Sequence, residues 1–404
     1  MKKTLALALA AVAACTSAAG AQRVHEVPAR PALWAGADTN SAGAYYLLGV
    51  QRLERDARTA AAAFFWAERL SPGWPDALYG RHVALLMSDP RRLEAYEQGR
   101  GGIERNPEVM AIDSLYYRAV QRDPFLHRKL EKQYVMMYYR NAYAEMIRQE
   151  TGDRDVVAAD YLMRQLMNDH DPYTQAWLAY ADGRFPAAIQ FYEQVLRRSR
   201  HPARLRLRLG QIHYLSGNFP QAAEHLRLGI EALRQVDRRN VVRVYESKAM
   251  LEYSLAAALE QAGNAAAARE AYGRALTEDL AFWPGHRRMA SLAAASGDTT
   301  TALTELGLAV ELAPNEADLR FEHGTLLLAA HKVLESAAEM KKAAELDPYF
   351  AAPHFYLAAM NDASSMAEDA LEHYRAFLAR AAQDDPHLAR ARERVAALSA
   401  AAAP

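Results

Sequence analysis

The sequence predicts an all-α solenoid of helical hairpins. Three observations predict it: a turn residue that recurs every 34 positions, a small residue at a fixed distance after each, and apolar residues at helical offsets on both sides. Gly183 and Gly217 are 34 apart, as are Gly263 and Gly297, and the same step reaches His331 and Ser365. The gap from Gly217 to Gly263 is 46, one period plus an insertion of 12. Five residues after these markers stand Ala188, Ala222, Ala268, Ala302, Ser336 and Ala370. Nine after them stand Tyr192, Leu226, Tyr272, Leu306, Met340 and Tyr374.

Each period reads as two helices. Eight and seven positions before the marker lie Leu209/Gly210, Leu255/Ala256, Met289/Ala290, His323/Gly324 and Leu357/Ala358. Leu259, Ala293 and Leu327 lie four before it, on the same helical face. The marker itself sits in the turn, where a positive φ is most easily met by glycine. The small residue of the second helix lies where the two helices cross, because only a short side chain lets the backbones approach. Pro314 and Pro348 close two periods.

These residues resemble the tetratricopeptide repeat family: Leu-Gly in the first helix, Gly in the turn, Ala, aromatic and Ala in the second helix, and a closing Pro. The likeness is fullest at Leu209–Gly229 and Met289–Pro314 and covers an array over 169–386. Residues 42–168 read as divergent repeats. Tyr45, Leu48, Gly49, Ala60, Phe64, Ala67 and Pro72 make one unit, while Leu78, Gly80 and Pro107 suggest another. The register is poor from Glu108 to Asn168, although Leu130–Gln149 and Asp155–Met167 still show helical patterning; this stretch reads as degenerate repeats or as a separate helical insert. Residues 387–404 read as a capping helix and tail.

The resemblance implies a right-handed superhelix whose first helices line a concave groove that binds a peptide or helix. On that face it places Tyr173, Leu207, Tyr253, Arg287, Phe321 and Phe355 ten residues before their markers. Trp177 and Gln211 lie six before, and Tyr214 three before. Such an aromatic stripe supplies large contact area at low entropic cost. The Lys and Asn groups with which some members clamp a C-terminal carboxylate are absent here. Sugar stacking on Tyr173, Trp177 and Tyr214, in a peptidoglycan- or polysaccharide-export-binding protein, is the alternative use of the same stripe.

Composition limits the chemistry. The 48 basic and 49 acidic residues leave no basic excess for nucleic acid, and all but eight of the basic residues are arginine. One cysteine excludes a disulfide framework. No His-Glu-x-x-His, phosphate loop or Gly-x-Ser-x-Gly is present, so no enzyme activity, cofactor or metal is expected. Asp169-His170-Asp171 reads as a loop before Pro172. Arg197, Arg198, Arg200, His201, Arg204, Arg206 and Arg208 form one dense basic cluster. It reads either as an anion patch or as a solvated helix end.

The N-terminus carries an export signal. Lys2 and Lys3 precede the uncharged run Thr4–Ala14, which is too short for a membrane helix of about 20 residues. Residues 1–21 are therefore a signal region and 22–41 a flexible leader. Ala19-Gly20-Ala21 offers an ordinary cleavage site before Gln22, whereas Val12-Ala13-Ala14-Cys15 resembles a bacterial lipobox with Cys15 as the acylated residue. The expected role is a non-catalytic scaffold or assembly factor for a protein or peptide partner in the cell envelope. It would lie in the periplasm or be held at the outer membrane only through that lipid.

Overall fold

The computed structural model describes residues 26–99, 107–152, 155–167, 171–239 and 247–401. Cys15 and the signal region lie outside them. The described residues contain twenty helices and no strand. In chain order these are α1 Ala42–Arg52, α2 Ala57–Leu70, α3 Pro75–Met87, α4 Pro90–Gly99 and α5 Pro107–Arg122. Then come α6 Glu131–Thr151, α7 Val156–Met167, α8 Pro172–Ala181, α9 Phe185–Arg198 and α10 Pro202–Leu215. After these follow α11 Phe219–Arg239, α12 Lys248–Gln261, α13 Ala265–Glu278, α14 Trp283–Ala295 and α15 Thr299–Leu312. The last five are α16 Ala317–Ala329, α17 Val333–Leu346, α18 Ala352–Ala363, α19 Ala367–Arg380 and α20 Leu388–Ala401. No described helix is long and apolar enough to cross a membrane.

The chain groups into two compact units. The first holds residues up to Pro31, Tyr46–Phe65 and Pro75–Gly217; the second holds Ala32–Tyr45, Trp66–Trp74 and the chain from Asn218 on. Helices pair as the period requires: α8 with α9 in the first unit, and α12 with α13, α14 with α15, α16 with α17 and α18 with α19 in the second. The 12-residue insertion falls between α11 and α12, and it lengthens α11 to 21 residues against 14 for α13, α15, α17 and α19.

All six turn markers are left-handed, with φ from 60° at Ser365 to 80° at Gly263. His331 and Ser365 hold that conformation although they carry a Cβ, at a cost of about 1–2 kcal/mol each. We expect His331→Gly and Ser365→Gly each to raise stability by about 0.5–1 kcal/mol, glycine's greater freedom when unfolded offsetting part of the relief. Thermal unfolding of the single variants checks this.

The small residues five positions after the markers are fully buried in all six repeats, and the large ones nine after are buried with them. Ser336, the one polar member, donates its hydroxyl to the Gly324 carbonyl at 2.7 Å, which makes a buried polar group tolerable there. Caps follow the sequence too: Asp171, Ser247, Asn264 and Asp298 accept backbone N–H bonds at the starts of α8, α12, α13 and α15. Asp171 is therefore a helix cap; Asp169 and His170 lie outside the described residues.

The leader is not free along its whole length. Within the second unit, Asn40 Nδ2 donates to the carbonyls of Ala379 and Ala381 at 3.1 and 3.3 Å, and Asp38 Oδ2 accepts from the Gln383 N–H at 2.7 Å. In the same unit Trp66 meets Tyr349 edge-on at 4.7 Å, and Arg69 lies 3.4 Å from the buried Asp347. Local sequence reading has no access to contacts made across more than 270 residues.

Burial pushes the Asp347 carboxyl up to about 7, with Arg69 pulling the other way. A carboxyl that binds its proton more tightly when folded adds stability that is complete below its unfolded value, near 4. That stability is lost as pH rises through about 7. Asp347 also accepts from the Tyr349 N–H, which an asparagine can replace. We expect Asp347→Asn to remove a stability decline on the order of 1–2 kcal/mol between pH 4 and 8, because solvent near Arg69 screens the full linkage value. Urea unfolding at a series of pH values reads it out.

Candidate groove face

The ten-before position was expected to face an open groove; in the second unit it packs against the turn that leads into the next repeat. Tyr253 is 3% exposed and meets Phe282 at 5.4 Å and Tyr272 at 5.6 Å between ring centres. Phe321 is half-buried against Phe350 at 5.1 Å and Tyr356 at 5.5 Å. Both partners on the connecting turn, Phe282 and Phe350, stand 29 residues on, at the same register. Phe355 lies in the C-terminal core with Tyr374, Phe377 and Leu388, its ring 4.2 Å from that of His387. Arg287 is occupied as well, bridging α14 to α16 through Nε to Glu322 Oε2 at 2.8 Å. Tyr253 and Phe355 are thus core residues, and Phe321 and Arg287 are largely committed to neighbouring repeats.

In the first unit the same register is open at Tyr173 and buried at Leu207. Tyr173 is 55% exposed, touching only Tyr192 edge-on at 6.0 Å, and one turn on Trp177 is half-buried. Nothing aromatic closes over Tyr173, because the residue 29 positions after it is Pro202. Leu207 is buried, contrary to expectation. Gln211 donates to the Leu126 carbonyl at 3.3 Å and accepts from Arg208 at 2.8 Å, and Tyr214 stacks on Phe125 at 3.6 Å. Of the nine residues in the stripe, Tyr173 is the exposed ring, and Trp177 is half-buried with no ring partner among the described residues.

The floor beneath them is polar and fixed. Arg208 lies 4.9 Å above the ring of the fully buried Tyr180. Tyr180 accepts at its hydroxyl from the Arg128 N–H, and its carbonyl is 2.9 Å from His127 Nε2. Lys132 pairs with Asp182 at 2.7 Å. Burial pushes Tyr192 up to about 12, so the ring beside Tyr173 stays neutral at physiological pH. Arginine meeting an aromatic side chain recurs: Arg288 Nε donates to the Tyr272 hydroxyl at 3.3 Å, and Arg390 stands over the Phe355 ring.

Sequence reading found helical patterning over Leu130–Gln149 and Asp155–Met167 but not the turn that joins the two helices. α6 and α7 form a further hairpin whose turn residue, Gly152, has φ 84°. Thirteen and six residues before it stand Tyr139 and Met146, 40% and 42% exposed. The available signal was Gly152 itself, 31 residues before Gly183 and so three short of the period. Among the described residues no three or more His, Cys, Asp or Glu side chains gather in a way that could hold a metal ion.

Residues 179–241 match the family model for the tetratricopeptide repeat. No curated protein matches the chain. Among solved structures, the C-terminal part of a repeat-containing protein from Cytophaga hutchinsonii is 14% identical, with a TM-score of 0.43 over 50% of this chain and 76% of its own. YrrB, described as having an unusual peptide-binding site, is 17% identical, with a TM-score of 0.39 over 50% and 97%. Yeast Tom70 is 13% identical, with a TM-score of 0.41 over 89% and 88%.

Proposed function

We propose that this chain, whose residues 179–241 match the tetratricopeptide repeat, is a non-catalytic scaffold of the bacterial cell envelope that binds a peptide or helix of a partner protein. One observation supports this reading above the others. Tyr173 and Trp177 leave ring surface uncovered on the first-helix face of α8, whereas the later repeats close over the same position. An aromatic ring held on a rigid helix and partly exposed is the kind of group that anchors a peptide side chain. Tyr139 and Met146 on α6 extend the surface with residues suited to apolar side chains.

The envelope location rests on the sequence of residues 1–15. If Cys15 is acylated, the mature protein incorporates labelled fatty acid and Cys15→Ala releases it from membranes; a mature N-terminus at Gln22 contradicts the lipid. The two chains of a diacylglyceryl group make such attachment stable.

For the groove, Tyr173→Ala and Trp177→Ala should each weaken a bound peptide by about 1–3 kcal/mol in calorimetry. Tyr173→Ala should leave the melting temperature near that of the wild type, because its ring is largely in solvent. Unchanged peptide affinity in both variants counts against the site. Retention of peptidoglycan fragments in place of peptide moves the reading to sugar stacking on the same rings.

A further inference from the structure

We infer that the partner segment is acidic and that it is read by an unpaired arginine cluster beside Tyr173. This rests on the peptide-binding reading above and adds the chemistry of the partner. Between Glu193 and Glu224 the chain carries no carboxylate side chain, yet it places six arginines there, from Arg197 to Arg208. Arg208 is used within the fold, over Tyr180 and on Gln211. Among the described residues, Arg197, Arg198, Arg200, Arg204 and Arg206 make no side-chain hydrogen bond or ion pair. Arginines nearby behave otherwise: Arg184 pairs with Asp182, and Arg227 pairs with Glu224 and Glu231.

One of these charges stands against its own helix dipole. Arg197 and Arg198 at the C-terminal end of α9 suit the helix dipole. Arg204 does not, for it stands in the first turn of α10, where the dipole is positive, no acidic residue is present and no side chain caps the helix. Exposed Arg197, Arg198, Arg200 and Arg204 therefore surround a helix start whose own N–H groups also favour negative charge.

The cluster continues into the aromatic face. Arg204 lies 13 residues before Gly217 and Arg208 nine before, on the side of α10 that carries Gln211. Arg208 stands over Tyr180 of α8, the helix that carries Tyr173, and Tyr173 meets Tyr192 of α9, the helix that ends in Arg197 and Arg198. Arg206 is two residues from Arg204, about 200° round the helix. Charges spread round a helix end suit a chain that can bend between them, and suit poorly a flat sheet of headgroups. An acidic peptide with an apolar or aromatic residue to set against Tyr173 meets both features through charge complementarity.

The test selects short random peptides on the full mature chain and reads their charge. Expected are peptides rich in Asp and Glu. Their affinity should fall about tenfold or more at high salt, and by a similar factor in the doubly reversed R197E/R204E protein. Both positions are exposed, and an unchanged circular dichroism melt shows that the variant folds. Selected peptides without acidic enrichment, or equal binding by the reversed variant, overturn the inference and leave the groove reading standing if Tyr173→Ala still weakens them. Failure of every peptide to bind overturns both. Tighter, arginine-dependent binding of phosphatidylglycerol vesicles or heparin than of any selected peptide assigns the cluster to a membrane or a polysaccharide and overturns the inference.

Discussion

Phe64→Ala should lower stability by about 3–5 kcal/mol, the largest single loss expected in the N-terminal repeats. The ring is fully buried in a cluster with Leu53, Ala60, Leu78 and Val83. It fills space that two glycines leave for it: a methyl group at Gly80 would stand 2.5 Å from the ring, and one at Gly49 would stand 2.8 Å away. With Phe64 removed, a cavity opens between helices whose backbones have no side chains to collapse into it. The complementary change, Gly80→Ala, should overpack the same site and cost about 1–3 kcal/mol. In a repeat array the loss registers first on immediate neighbours. Hydrogen exchange across α1–α3 therefore reads it more cleanly than a global melt. Wild-type exchange rates in Phe64→Ala contradict the assigned packing.

Tyr253→Ala should cost a comparable amount, about 3–5 kcal/mol, and should do so through stability. Its register position alone suggests a groove residue whose loss would spare the fold. The structure seats the ring between Tyr272 of its own repeat and Phe282 at the start of the next. Truncation there empties an inter-repeat joint, so two hairpins loosen together. Tyr173→Ala removes the residue at the equivalent position of an earlier repeat, where no aromatic covers the ring. Its melting temperature should stay close to that of the wild type. Urea unfolding of the two variants side by side separates the roles; equal losses would place both rings in the same environment.

The hairpin register was legible in the sequence because it depends on local geometry. A left-handed turn, a small residue at a helix crossing and a large one a turn later each leave a residue type at a fixed offset. His331 and Ser365 show that the offset outlasts the residue type, since both keep positive φ without being glycine. Exposure of the first-helix face was less legible. Whether the residue ten before a marker is open or buried depends on the side chain 29 positions later: Pro202 for Tyr173, Phe282 for Tyr253 and Phe350 for Phe321. A single repeat pattern averages over that partner. The hairpin at Gly152 was hidden for another reason, namely a turn spacing that departs from 34. The ties from the Asp38 and Asn40 side chains go to backbone groups at and just past the end of α19 and leave no periodic trace at all.

A hydrogen-exchange footprint of a selected peptide on the full chain tests most directly where the partner binds. The account predicts protection in α8 and α10, around Tyr173, Trp177 and Arg204, with the first helices α14, α16 and α18 of the second unit unchanged. Protection confined to those second-unit helices, with α8 exchanging as in the free protein, would contradict it.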